Sequence, residues 1–115
     1  MSEPVNETGQ VKAIVKALRK EWPDIYIWKV HGGEYQESGI PDLCICLRGL
    51  YIAIEVKHKR PGESETHARE RATDLQRIQI ARTNKAGGMA GVALNPQEAL
   101  DICRRAFEKD EARRA

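Results

Sequence analysis

The run Gly39-Ile40-Pro41-Asp42-Leu43-Cys44-Ile45-Cys46-Leu47-Arg48-Gly49-Leu50-Tyr51-Ile52-Ala53-Ile54-Glu55-Val56-Lys57 decides the fold. Two apolar segments, 42–47 and 50–56, flank Arg48-Gly49, and two turn residues with Gly second suit a tight β-hairpin. In that register Leu47 faces Leu50, Ile45 faces Ile52 and Leu43 faces Ile54, so one side of the hairpin is wholly apolar and must be core. The other side sets Cys46 opposite Tyr51, Cys44 opposite Ala53 and Asp42 opposite Glu55, whose Cβ atoms would lie about 4.5–5.5 Å apart. Facing carboxylates repel unless a cation lies between them. Hard carboxylate oxygens with no nearby pair of His or Cys favour Mg²⁺, with Mn²⁺ as its substitute. Lys57 projects from the same face two residues beyond Glu55, close enough to orient a water and stabilise negative charge growing on a phosphate. An Asp, a Glu and a Lys so placed suit metal-assisted hydrolysis of a phosphodiester, with no covalent intermediate.

Outward from the hairpin, Val11, Ile14, Val15, Leu18 and Trp22 recur at spacings of three and four and predict an amphipathic helix from Glu3 to about Glu21, with Pro4 in its first turn. Ile25–Val30, after the break at Pro23, reads as a first strand, and 32–41 as a loop rich in Gly. Beyond the hairpin, the polar stretch Lys59–Thr66 contains Pro61-Gly62, and Ala68–Ala86 holds no breaker, so one long helix is expected, stopped by Gly87-Gly88. Met89–Leu94 is a short strand. Asn95-Pro96-Gln97-Glu98 combines a cap, a first-turn proline and an acidic third position, and starts a final helix carrying Leu100, Cys103 and Phe107. A three-strand meander joined through a helix to a fourth strand implies a mixed sheet with helices on its faces.

At 115 residues the chain suits one domain, and 41% hydrophobic with 31% charged residues excludes a disordered charged tail. No apolar run approaches the roughly 20 residues a bilayer needs. The net charge of +2 conceals an asymmetry: 6 basic against 8 acidic residues through Val56, and 13 against 9 after it. Met1-Ser2-Glu3-Pro4 does not open a secretory signal, so a cytoplasmic protein is expected, the bacterial host cytoplasm if the chain is phage-encoded. Cys44, Cys46 and Cys103 are odd in number and lack a zinc-knuckle spacing, which favours reduced, packed thiols.

Gly39-Ile40-Pro41-Asp42, twelve residues, then Glu55-Val56-Lys57 resembles the P-D...E-x-K signature of the PD-(D/E)XK nuclease superfamily. More narrowly, the chain resembles the virus-type replication-repair nuclease (VRR-NUC) family over about Glu7 to Leu94. That likeness rests on Trp28-Lys29-Val30-His31-Gly32-Gly33, Gly39-Ile40-Pro41-Asp42-Leu43, Ala53-Ile54-Glu55-Val56-Lys57, Gln76, and Ala86-Gly87-Gly88. The charged stretch His58–Arg71 is longer than in many relatives, which move quickly to a short Thr-x-x-Gln helix start; Thr73 and Gln76 fit that start. The resemblance implies an α/β fold with a restriction-endonuclease-like αβββαβ core, a mixed four-stranded sheet flanked by helices, plus a C-terminal helix. A single domain 1–115 is expected, with a core over about 5–95, a C-terminal helix over about 96–109 and a frayed tail at 110–115.

By the same resemblance Asp42 and Glu55 are metal ligands, the backbone carbonyl of Val56 is a further ligand, and Lys57 positions the attacking water. Glu7 shares a stripe with Val11, Ile14 and Leu18, and superfamily members often use a first-helix Glu near the metal; an acid favoured by the helix dipole is the plainer alternative. Gln76 resembles the family's active-site Gln, with Gln79 one turn away as the alternative. Affinity for DNA would come from phosphate contacts, for which Lys29, His31, Lys59, Arg60 and Arg77 are the candidates. No recognition helix, zinc finger or aromatic platform is visible, and the aromatic residues read as core or strand positions, so branched DNA is expected rather than a base sequence. Stand-alone phage and bacterial relatives look like homodimeric enzymes that resolve Holliday junctions. A monomeric flap or end nuclease is the alternative within enzymes, and a non-catalytic DNA-binding module the alternative outside them.

Overall fold

A computed structural model describes residues 7–30 and 39–115. The order is α1 Glu7–Glu21, β1 Tyr26–Lys29, β2 Leu43–Leu47, β3 Leu50–Val56, α2 Glu65–Glu70, α3 Asp74–Lys85, β4 Met89–Ala93 and α4 Pro96–Arg114. The sheet runs β1-β2-β3-β4, antiparallel through the meander and parallel between β3 and β4. This is the mixed αβββαβ core with a C-terminal helix that the hairpin and its surroundings imply.

The hairpin register is the expected one, Leu43 to Ile54 through Leu47 to Leu50. Arg48 and Gly49 both take positive φ, 54° and 78°, the geometry of a type I′ turn whose twist matches the strands it joins. The face bearing Leu43, Ile45, Leu47, Ile52, Ile54 and Val56 packs with Ile14, Val15 and Leu18 of α1 and Ala99, Ile102, Cys103 and Ala106 of α4 into one core. Small residues on β4 let α4 come close: a Cβ added at Gly91 would lie 3.2 Å from Ile102. Trp22 and Phe107 seal the far end of this layer edge to face, 5.6 Å between ring centres.

The opposite face is covered by α3 only over β3 and β4. No side chain of α3 is fully buried; Gln76, Ile80 and Thr83 are half-buried. Asn84 clips the end of α3 to β4, donating to the Ala90 carbonyl and accepting from its N–H.

Two expectations need correction. The single helix over 68–86 is two: α2 stops at Glu70 with Arg71 as its C-cap, and Thr73 caps the start of α3. Its hydroxyl accepts from Gln76 N–H while the Gln76 side chain accepts from Thr73 N–H, a reciprocal capping box that outcompetes helix continuation. The tail does not fray at 110: α4 runs through Arg114. Lys109 donates to the carbonyls of Asn84 and Gly88, Arg113 to that of Gly87, and Arg113 and Arg114 both pair with Asp110, so the last turns are tied to the α3–β4 corner. Among the described residues, no helix is long and apolar enough to cross a membrane.

Candidate metal centre

Asp42 enters β2 directly after the buried Pro41, and Glu55 and Lys57 alternate on the face of β3 away from the core. The three acids Glu7, Asp42 and Glu55 converge from α1, the start of β2 and the end of β3, with carboxylate oxygens all within 4.8 Å of one another. Asp42 is fixed by the backbone, one oxygen accepting from Val56 N–H at 2.8 Å. Glu55 is 2% exposed. Its Oε1 accepts from Gln76 Nε2 at 2.8 Å and lies 3.5 Å from Lys57 Nζ, whereas its Oε2 is buried and accepts no hydrogen bond from the described residues.

An orphaned carboxylate oxygen costs free energy that the fold must recover elsewhere. Burial first, and the Asp42 carboxylate second, push the Glu55 pKa up to about 8 against the opposing pull of Lys57. A cation among the three acids would remove that conflict, because it supplies the missing partner and cancels the repulsion. Oxygen donors only, from three carboxylates, fit a hard divalent ion. Of the expected pair, Gln76 reaches the cluster, donating to Glu55. It both starts α3 and holds Glu55. Gly39 makes this possible: it sits at φ +85°, and a Cβ there would lie 2.6 Å from the Leu75 carbonyl carbon. Only glycine lets the loop before Asp42 touch the first turn of α3.

The basic residues divide. Lys59 and Arg60 are exposed and line a cavity of about 310 Å³ with Gln10, His58 and Leu94, next to the first turns of α1. Lys29 lies on the other flank of α1. Arg77 is turned to Asp74 and to the Glu70 carbonyl, where it clasps α2 to α3. Arg71 closes on Glu63 and on the His58 carbonyl, and Arg69 pairs with Glu98, so much of the charged 58–71 stretch is spent on holding its own loop. His31 lies outside the described residues. Sequence reasoning missed three cations on α1, Lys12, Lys16 and Arg19, which line a groove with Lys29. It also missed the exposure of Tyr26 (64%), Trp28 (40%) and Tyr51 (44%). These aromatics occupy sheet positions in line with Cys44 and Cys46, on the part of the site face that α3 leaves uncovered. Strand periodicity alone cannot say which face a helix covers.

The fold is that of a VRR-NUC domain: a solved structure with that title aligns with a TM-score of 0.54, over 83% of this chain and 94% of that one, at 19% identity. The sequence itself matches no family model and no curated protein.

Proposed function

We propose that this protein is a divalent-metal-dependent nuclease that hydrolyses phosphodiester bonds in DNA. The observation that carries the reading is the buried Oε2 of Glu55, which accepts from no described residue, inside a three-carboxylate cluster with Lys57 beside it. A solvated surface hairpin has no use for such an atom, and a module that only bound DNA would be better served by cations there. The likeness to a VRR-NUC domain agrees in fold.

Glu7, Asp42 and Glu55, with the Val56 carbonyl at the strand end, would hold Mg²⁺ or Mn²⁺. That ion would neutralise phosphate charge and make a water more acidic. Lys57 keeps its ammonium group at the rim of the cluster through Glu55. There it can hold the attacking water in line and balance charge on the phosphate as the bond to the leaving oxygen breaks. Gln76 holds Glu55 through Oε1 and leaves Oε2 without a donor among the described residues. The substrate we favour is branched DNA, a four-way junction foremost, cut by a homodimer, since one site per protomer can make paired opposed cuts only if two protomers face each other.

The test incubates the protein with labelled four-way junction, 5′ flap and linear duplex, in Mg²⁺ or EDTA, beside Lys57→Ala. Metal-dependent paired nicks, lost at least a hundredfold in the variant, are expected. Unchanged cleavage by Lys57→Ala would remove Lys57 from the site, and the mass of a single protomer at micromolar concentration would remove the dimer.

A further inference from the structure

The groove between α1 and β1 gathers cations without a counter-charge among the described residues. Lys12, Lys16 and Arg19 stand at i, i+4 and i+7 on one flank of α1, and Lys29 of β1 closes the groove of about 380 Å³ across from them. All four are exposed, and none makes an ion pair with a described residue. Elsewhere Arg69, Arg71, Arg77, Arg104, Arg113 and Arg114 each meet a carboxylate, whereas Lys20, Lys59, Arg60 and Lys85, like the groove residues, form no ion pair with a described acid; what sets the four apart is that they line one groove. Like charges one helical turn apart destabilise a helix slightly, so a flank whose cations pair with no described acid suits an anion supplied from outside.

The stripe also has a direction. It shares its helix with Glu7, the metal-site acid of α1, and begins five positions further on, about 8 Å along the axis. From Lys12 to Arg19 the helix rises about 10 Å, the axial distance over which one strand of a duplex presents about three phosphates. Lys29 continues the stripe onto the sheet, where its Cα pairs with that of Leu43, the residue after Asp42. The other basic group near the cluster, Lys59 and Arg60, lies across α1, on the Gln10 side.

We infer that Lys12, Lys16, Arg19 and Lys29 form a phosphate track that holds the backbone of a duplex DNA arm running from the metal centre along α1. This rests on the nuclease reading of the centre and adds to it where one arm of the substrate lies. The track would set affinity and leave the chemical step alone, because none of the four residues is among the three clustered acids.

The experiment measures binding of a fluorescent 30-base-pair duplex and a four-way junction in EDTA, across a salt series, for the wild type and for Lys12→Gln/Lys16→Gln/Arg19→Gln. Each lost phosphate contact lowers the slope of log K against log salt by about 0.9, so the triple variant should lose about 2.7 from its slope and bind about tenfold or more weakly at 0.1 M salt. The charge-keeping variant Lys12→Arg/Lys16→Arg/Arg19→Lys should restore both, which separates charge from helix damage. Cleavage at saturating DNA in Mg²⁺ should match the wild type. An unchanged slope in the triple variant, with the wild type binding normally, overturns the track and leaves the nuclease reading standing. A wild type that binds neither DNA overturns both.

Discussion

On one face of β3, Ile52, Ile54 and Val56 meet α1 and α4 in an apolar layer; on the other, Glu55 is nearly as dry, at 2% exposure, and keeps an oxygen that accepts from no described residue. The two faces come from one alternating strand, so their difference lies in what covers them. Two helices with five large or medium apolar anchors, Ile14, Val15, Leu18, Ile102 and Cys103, press on the first face. A single helix without a fully buried side chain covers part of the second. The fold keeps its stability on one side of the sheet and its unresolved electrostatics on the other, as expected where a site is held by a scaffold that does not itself take part in the chemistry.

Substitutions at neighbouring positions should therefore act in opposite directions. Ile54→Ala opens a cavity in a fully buried position and should cost about 2–5 kcal/mol; urea melts would show it, while cleavage per folded molecule stays near that of the wild type. A cost under about 1 kcal/mol would mean that the core does not lie on this face.

One residue further on, Glu55→Gln should stabilise the metal-free protein at neutral pH and abolish cleavage. The sign follows from linkage. With a folded pKa of about 8 against an ordinary value near 4.3, the folded state binds the extra proton between those limits. Stability is then fully present below about pH 4.3 and is lost as pH rises towards 8. Glu55→Gln lacks that loss and should gain on the order of 2–3 kcal/mol at pH 8 in EDTA. Mg²⁺ should flatten the wild-type profile and leave that of the variant unchanged. Parallel pH profiles of the two proteins in EDTA would remove the conflict on which the metal centre is argued.

The contrast between the faces was partly legible in the sequence. Period-two alternation and the Arg48-Gly49 turn specify the register, and register alone places Asp42, Glu55 and Lys57 together. The convergence of Glu7 was legible as an acid in line with a core stripe. The helix break at Thr73 was legible only through the Thr73-x-x-Gln76 start, since nothing between 68 and 86 is Gly or Pro and a capping box is made of ordinary residues whose effect depends on tertiary placement. The α1 track was hidden for a different reason: cations at i, i+4 and i+7 look like any solvated helix flank until Lys29 is brought across from them.

Gly39 joins the two faces of the argument, since its approach to Leu75 sets where α3 begins. Gly39→Ala adds a Cβ to a left-handed backbone and into a carbonyl carbon 2.6 Å away, so it should cost about 1–3 kcal/mol and move Gln76 off Glu55. Cleavage should fall with stability here, unlike at Ile54. Wild-type stability and activity in Gly39→Ala would show that the loop and α3 are not in contact.

The smallest effect separates the two duties of Gln76. Gln76→Ala removes both the reciprocal cap on Thr73 and the hydrogen bond to Glu55, a loss of about 1–2 kcal/mol. Gln76→Glu keeps the cap, because Glu serves the same position in a capping box, but sets another carboxylate against Glu55. Helix content should then survive in Gln76→Glu, while its stability in EDTA falls below that of the wild type as pH rises from 5 to 8, and Mg²⁺ should recover part of the difference. If Gln76→Glu matches the wild type at pH 8 without metal, the cap is the whole of what Gln76 contributes, and the tension on the site face of β3 is confined to Asp42, Glu55 and Glu7.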